Sequence, residues 1–274
     1  MTDATRPAAV VAFDDVHAGF GDLEVLRGLS FSLSRSETKV LLGESGSGKT
    51  VLLKLAAGLL RPDSGGIRVM DQDLNAMSEV QLLAFRAHIG FVFQEGALFD
   101  SLSVRENVAF RLRQEDSPEE EVEKRVREVL GFVEMENSVD MYPADLSGGM
   151  RRRVSIARAL VSRPDVVFYD SPTAGLDPVT SQTIISLLLR LRDVQAVTAV
   201  LATHRLQDLF GLANFRFDKS SEKVVSANGN GSPAAIPPTR ALLLREGVAV
   251  FEGDAQEVLD SKDPYLERFL TSAR

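Results

Sequence analysis

A glycine-rich loop between an apolar run and a helical pattern constrains the fold of this chain more than any other feature. Residues 43–50 read Gly-Glu-Ser-Gly-Ser-Gly-Lys-Thr and fit the template Gly, four residues, then Gly-Lys-Ser/Thr. The apolar run at residues 39–42 predicts a buried strand, and residues 50–55 predict a helix. The three elements together predict a phosphate-binding turn, which disfavours the alternative of a Gly/Ser-rich turn that matches the template by chance.

The residue types in this loop suit a nucleoside triphosphate. Gly43, Gly46 and Gly48 leave room for backbone N–H groups to point at phosphate oxygens. We expect Lys49 to bridge the β- and γ-phosphates and the Thr50 hydroxyl to hold Mg²⁺. The helix that follows adds the positive end of its dipole to the same site.

Composition excludes several classes of function. The net charge of −8 argues against a nucleic-acid partner, because surfaces that bind nucleic acids are basic. The chain has no cysteine and three scattered histidines, so any metal must be held by oxygen atoms. No run approaches the ~20 apolar residues of a membrane helix, and the N-terminus lacks a signal pattern. We therefore expect a cytoplasmic protein.

Strand and helix patterns alternate along the chain as in an α/β fold with a parallel sheet. Short strands before the glycine-rich loop suggest a small antiparallel β subdomain, and an inserted α-helical subdomain follows later. We expect Ser117, followed by Pro118 and Glu120, to start one helix with a capping box. The predicted division is a core of residues 10–95 and 164–217, a helical subdomain of residues 96–163, a flexible insertion of residues 218–239, and a C-terminal hairpin with a helical tail of residues 240–274.

A second motif stands about a hundred residues after the first. It consists of Leu146, Ser147, Gly148, Gly149 and Met150, and it precedes another helical pattern. A serine hydroxyl and glycine amides at a helix N-terminus form a second anion-seeking site. We do not expect a single bound nucleotide to contact both of these helix N-termini in the same chain.

With these motifs the chain resembles the nucleotide-binding subunit of an ABC transporter. The resemblance depends on the order and spacing of residues 43–50, Gln94, residues 146–150, residues 166–170, residues 174–177 and His204. It implies a P-loop NTPase core of the RecA-like type, with ATP and Mg²⁺ as ligands. It also implies a head-to-tail dimer, in which each ATP lies between the P-loop of one chain and the signature motif, residues 146–150, of the other.

The resemblance assigns roles to single residues. ATP binding falls to Phe20, which stacks on adenine, and to Gly43, Ser45, Gly46, Ser47, Gly48, Lys49, Thr50 and Val51. The residues implied for hydrolysis are Gln94, Ser171 and His204. Those implied for Mg²⁺ binding are Thr50, Gln94 and Asp170, and Asp177 is expected at the dimer interface. Taken alone, Phe20 is equally well a surface aromatic residue, and Gln94 a polar residue that ends a strand.

Position 171 departs from the family pattern. The aspartate that ends the apolar strand is followed in the family by a glutamate that activates the attacking water, whereas here Asp170 is followed by Ser171. A serine hydroxyl does not accept a proton at neutral pH, and a lost general base costs ~10²–10⁴-fold in rate. We expect normal ATP binding with slow hydrolysis. The alternative is that a neighbouring carboxylate replaces the base, and the sequence indicates no obvious candidate.

Three arginines and two histidines remain outside the motifs. Arg151, Arg152 and Arg153 point about 100° apart on a helix, so we expect ordinary surface positions for them, with a place near phosphate for one of them as the alternative. His17 and His88 match no family motif, and we expect structural roles for both.

The sequence is further similar to the ATPases of Mce-type lipid transporters, which include the maintenance-of-lipid-asymmetry systems. Residues 93–108 and 146–153 carry this similarity, above all the Gly-Ala-Leu-Phe run and the methionine after the double glycine. It implies an integral membrane permease, a second ATPase subunit that is an identical copy in the simplest case, an Mce-type lipid-binding protein, and a place on the inner face of the cell membrane. Importers of other solutes and a regulatory, weakly hydrolysing subunit remain as alternatives.

Overall fold

The computed structural model describes residues 9–227 and 237–272. The strands are β1 (Ala9–Phe20), β2 (Leu23–Ser34), β3 (Thr38–Leu42), β4 (Ser64–Val69), β5 (Gln72–Asp73), β6 (Ile89–Val92), β7 (Val166–Asp170), β8 (Thr198–Ala202), β9 (Phe215–Asp218), β10 (Lys223–Ser226), β11 (Thr239–Arg245) and β12 (Val248–Gly253). The helices are α1 (Lys49–Ala56), α2 (Glu79–Phe85), α3 (Val104–Gln114), α4 (Glu119–Phe132), α5 (Gly148–Leu160), α6 (Pro178–Gln195), α7 (Leu206–Asn214), α8 (Ala255–Asp260) and α9 (Pro264–Ser272). Within the described ranges, no helix combines the length and apolarity needed to cross a bilayer.

A six-stranded sheet in the order β12-β11-β3-β8-β7-β6 forms the centre of the fold. The five strands from β11 to β6 pair in parallel, and β12 joins the edge in antiparallel pairing. Parallel strands have their carboxyl ends at one edge of a sheet, so the loops after β3, β6, β7 and β8 converge there. The predicted α/β fold with a parallel sheet and a P-loop is confirmed.

Both faces of this sheet are covered, which explains why its strands are apolar without interruption. On β3, Val40 and Leu42 face one hydrophobic cluster, whereas Leu41 faces the other. On β7, Tyr169 and Phe168 divide between the two clusters in the same way. The first cluster includes α5 and α6, and the second includes α1 and the antiparallel sheet.

The predicted N-terminal antiparallel sheet has the order β2-β1-β4-β5. The β1–β2 turn places Phe20 at its tip, 55% exposed. On β2, Leu26 packs under the phosphate-binding loop, since a Cβ atom at Gly48 would lie 2.7 Å from Leu26 Cδ2. The antiparallel sheet therefore supports the loop and presents an aromatic ring near it.

Helices α3, α4 and α5 lie between β6 and β7 in the chain and pack on one another through buried apolar residues such as Val108, Val126 and Val154. Helix α3 begins with a capping box of Ser103 and Glu106. The prediction for α4 is wrong in one detail, because Pro118 rather than Ser117 occupies its N-cap position.

The predicted flexible insertion of residues 218–239 needs correction at both ends. Strands β9 and β10 pair as an antiparallel hairpin over residues 215–226, and Thr239 already pairs with Thr38 at the start of β11. Burial explains the first difference, because Phe217 packs against the core cluster. Residues 228–236 of the predicted insertion lie outside the described residues. The hairpin expected after them is present as β11 and β12.

Candidate nucleotide site

The loop after β3 is built on glycines that no other residue could replace without strain. Gly43 has φ 151°, and a Cβ atom there would lie 2.4 Å from the Leu244 carbonyl oxygen and 2.6 Å from Ser47 Oγ. Gly48, with φ 100°, occupies the N-cap of α1 in the left-handed region. The loop therefore turns sharply and starts α1 with its N–H groups directed into the turn.

Lys49 lies at the start of α1 and closes over the loop. Its Nζ donates hydrogen bonds to the carbonyl oxygens of Gly43 at 2.8 Å and Glu44 at 2.7 Å. Burial lowers the pKa of Lys49 to about 8, while the negative charges of Asp170 and Glu44 oppose this shift. The ammonium group thus lies in the loop itself, where a phosphate would be held.

Thr50 and Asp170 form an oxygen-donor pair next to the loop. Thr50 Oγ1 donates to Asp170 Oδ1 at 3.2 Å, and Asp170 ends β7. Burial raises the pKa of Asp170, and the hydrogen bond from Thr50 opposes the shift. Among the described residues, no three His, Cys, Asp or Glu side chains form a metal cluster. A hydroxyl and one carboxylate fit Mg²⁺, which takes few protein ligands and completes its shell with phosphate oxygens and water.

Lys49, Thr50 and part of the loop line a cleft of about 920 Å³, whereas Gly43, Ser47 and Asp170 are not part of its lining. The predicted site residues that it brings together are Phe20, Ser45, Gly46, Gly48, Lys49, Thr50, Val51, Gln94, Ser171 and His204. The lining includes the exposed ring of Phe20 and residues of the phosphate-binding loop, so the cleft offers both a base-stacking surface and an anion site. The signature motif and Asp177 do not line it.

Ser171 is 9% exposed and yet lines the cleft. Its backbone lies in the left-handed region at φ 48°, held by a hydrogen bond from its N–H to the Ala202 carbonyl oxygen at 2.9 Å. A hydrogen bond from the Ser171 side chain lowers the pKa of Asp170, against the larger effect of burial. Glu44 supplies a carboxylate to the cleft wall, which the sequence did not single out.

The signature motif lies at the N-terminus of α5. Ser147 is its N-cap and accepts a hydrogen bond from Met150 N–H at 3.2 Å. Gly149 is buried against α6, since a Cβ atom there would lie 2.4 Å from Thr180 Cγ2. Ser147 and Gly148 are exposed. The Ser147 hydroxyl thus caps α5 at an exposed helix end, and no residue of the motif lines the cleft of its own chain.

Asp177 caps α6 rather than extending freely from the surface. Its carboxylate accepts hydrogen bonds from the N–H groups of Val179 and Thr180, both at 3.0 Å. A hydrogen bond from the Thr180 side chain, together with these backbone bonds, holds the pKa of Asp177 below its usual range. The side chain predicted for the dimer interface is thus fixed on its own helix.

Two buried polar residues near the site were missed in the sequence. Asp208, 1% exposed, accepts hydrogen bonds from Thr173 Oγ1 at 2.7 Å and Thr203 Oγ1 at 2.6 Å. It joins the loop after β7 to the loop that carries His204. Arg152 is buried, which corrects its prediction as a surface residue. Nothing in the local sequence marks either residue, since Asp is common in the first turn of a helix and Arg on its surface.

Residues 26–174, more than half of the chain, match the family model described as ABC transporter. The chain belongs to the ABC transporter family. Cassettes of this family bind ATP with Mg²⁺, and the loop, Thr50 and Asp170 fit that ligand pair. The solved dimer described as a post-hydrolysis state of the ATP-binding cassette MJ0796 bound to ADP and Pi is similar, with a TM-score of 0.74 and 27% identity over 89% of this chain and 98% of that one.

Two proteins that are similar to this chain have names that refer to different compounds. Methionine import ATP-binding protein MetN 2 of Paraburkholderia xenovorans is 39% identical over 75% of this chain, and the chain spans 54% of that relative's length. Protein trigalactosyldiacylglycerol 3, chloroplastic, of Arabidopsis thaliana is 35% identical over 94% of this chain and 72% of its own length. The expected Mce-type relatives are not among these names.

Proposed function

We propose that the chain is the ATP-binding and ATP-hydrolysing subunit of an ABC transporter that works as a head-to-tail dimer. The separation of the two anion sites carries this proposal. The cleft is lined by P-loop residues, Gln94 and His204, whereas the exposed residue Ser147 at the start of α5 lies elsewhere on the same chain. Each half of the site needs its complement from a second subunit. ATP-driven closure of such a dimer would move an integral membrane permease, with this subunit bound at the inner face of the membrane.

A complementation experiment tests the head-to-tail arrangement. Lys49→Ala removes the P-loop half, and Ser147→Arg removes the signature half. We expect either variant alone to stay monomeric with ATP, because both of its sites are incomplete. Since neither variant pairs with itself, a 1:1 mixture should form only mixed pairs, each with one intact and one doubly impaired site, so up to about half of all sites should recover.

The readout is ATP-dependent mass by light scattering, with Thr183→Ala on the surface of α6 as the control variant. Full dimerisation of the Lys49→Ala or Ser147→Arg variant alone would overturn the arrangement. So would a mixture that gains no dimer although the wild type dimerises.

We propose slow hydrolysis as part of this function, because Ser171 supplies no base. A weakly hydrolysing switch that relies on a second, different ATPase subunit is the alternative within the same family. Glu44 is the carboxylate on the cleft wall that could replace the missing glutamate.

For the transported substrate we propose a membrane lipid. The relative named after a galactolipid supports it, because that alignment extends over 94% of this chain. The higher identity of the methionine-import relative favours the second candidate, methionine. The permease and, for a lipid, an Mce-type partner would complete the assembly. ATP turnover by the subunit with its own permease in proteoliposomes separates the two: stimulation by added phospholipid supports the lipid, and stimulation by L-methionine alone contradicts it.

A further inference from the structure

Arg152 lies under the nucleotide site although it belongs to the signature helix. Its side chain is 6% exposed, and Nη1 donates a hydrogen bond to the Phe93 carbonyl oxygen at 2.8 Å. Phe93 directly precedes Gln94, which lines the cleft. A guanidinium group from α5 therefore holds the backbone at the entrance to the Gln94 loop.

The far side of the same loop is also fastened to α5. Arg158 donates to the carbonyl oxygens of Gly96 at 3.0 Å and Ala97 at 2.8 Å. Gly96 also lies in ordinary van der Waals reach of α5, since a Cβ atom there would lie 3.6 Å from the Arg151 carbonyl oxygen. Gln94 and Glu95 thus lie between two backbone segments that both contact the same helix, α5. The backbone on both sides of Gln94 and Glu95 is therefore hydrogen-bonded to α5.

The charges around Arg152 explain why a guanidinium group is stable there. Burial lowers the pKa of Arg152, and the carboxylates of Asp170 and Glu95 oppose this shift. Asp170 is the residue that fits Mg²⁺. Arg152 therefore interacts electrostatically with the carboxylate that fits Mg²⁺ and is hydrogen-bonded to the backbone that leads into the Gln94 loop, while the N-terminus of its helix belongs to the proposed site of the partner.

We propose that Arg152 is a positioning residue for Gln94, which ties the loop at the γ-phosphate to the signature helix. The inference rests on the proposed function, because it gives Gln94 a role in turnover. A shift of α5, when its N-terminus engages the ATP held by a partner, is passed by Arg152 to Gln94 of the same chain. Neighbouring Arg153 has no such link, because it is bound to Glu134 at 3.0 Å.

Steady-state ATP turnover by the full chain tests this role. The variants are made in the faster of two backgrounds, the wild type or Ser171→Glu. Arg152→Met removes the donor but keeps most of the apolar stem. We expect kcat to fall roughly 10–100-fold, because a misplaced catalytic group costs rate, with KM for ATP within about threefold. Arg153→Met is the matched control and should stay within about twofold in both constants. Arg152→Lys keeps a donor and should recover part of kcat.

The decisive measurement is a double-mutant cycle with Gln94→Ala. If Arg152 acts through Gln94, Arg152→Met should change kcat less than about twofold once Gln94 is alanine. Equal losses in both backgrounds would overturn the proposal, and so would a rise in KM without a loss of kcat. If Arg152→Met does not fold, the same cycle with Arg152→Lys decides in the same way. Failure of the proposed function looks different, because the unmodified chain then neither binds ATP nor hydrolyses it.

Discussion

Replacing Ser171 by glutamate should convert a slow ATPase into a fast one. Ser171 lines the cleft directly after Asp170, so a longer side chain at this position enters the cleft rather than the core. The backbone there is already left-handed at φ 48°. Glutamate is unbranched at Cβ and meets no greater backbone penalty than serine does. The substitution therefore adds a carboxylate without a new backbone cost.

The expected magnitude follows from the chemistry of a general base. A positioned base contributes about 10²–10⁴-fold, which corresponds to about 2.7–5.4 kcal/mol of transition-state stabilisation. Without nucleotide the same carboxylate should destabilise the folded protein, because it lies beside Asp170 at a position that is 9% exposed. We expect it to lower the free energy of unfolding by about 1–3 kcal/mol. Mg²⁺ with ATP should restore most of this loss.

Phosphate release under saturating ATP and Mg²⁺ is the assay, with Lys49→Ala as the blank. Ser171→Gln is the matched control, since it has the size of glutamate but cannot accept the proton. We expect a large rise for Ser171→Glu and none for Ser171→Gln. The reasoning would be refuted by wild-type turnover within tenfold of Ser171→Glu, or by an equal rise in both variants. Glu44→Gln would then test whether Glu44 already acts as the base.

Three further substitutions or conditions give measurable outcomes. Because Lys49 has a pKa of about 8 and must be charged to bind phosphate, ATP affinity should weaken by up to about tenfold per pH unit above pH 8, measured by fluorescent-nucleotide titration, and Lys49→Arg should remove this dependence. Gly149→Ala should cost about 1–3 kcal/mol of stability in urea unfolding through the clash with Thr180, and Thr180→Ser should recover part of it. Asp208→Ala should cost about 2–5 kcal/mol in the same assay, because it leaves two buried threonine hydroxyls without their acceptor.

The features that the sequence predicted well are those set by local chemistry. The P-loop depends on glycines with positive φ, and a short motif reports that requirement directly. The strands of the parallel sheet are buried on both faces, so each is visible as an uninterrupted apolar run. The Ser147 cap also depends on residues within one helical turn. Such features need no knowledge of the rest of the fold.

The features that it missed depend on partners distant in the chain. Arg152 receives its acceptor from Phe93, 59 residues away, and Asp208 joins two loops that meet only in the folded sheet. The β9–β10 hairpin has a polar composition, and its packing is decided by the core face of α6 beneath it. In each case the local pattern indicates a surface residue or a loop, and tertiary contacts override it.

If the site is divided between two subunits as proposed, the serine at position 171 has a further consequence. In a homodimer both composite sites carry Ser171, so no site has the glutamate and slow turnover is shared by the whole assembly. In a pair with a different ATPase, the Ser171 site is closed by the partner's signature motif, whereas the partner's own P-loop site is closed by Ser147 of this chain. The signature half here is intact, because Ser147 caps α5 and Gly149 is packed against Thr180. As a homodimer, such a chain would therefore lose much of its rate of ATP hydrolysis. Paired with a different ATPase it would lose little, because it still supplies an intact signature motif to the partner's site.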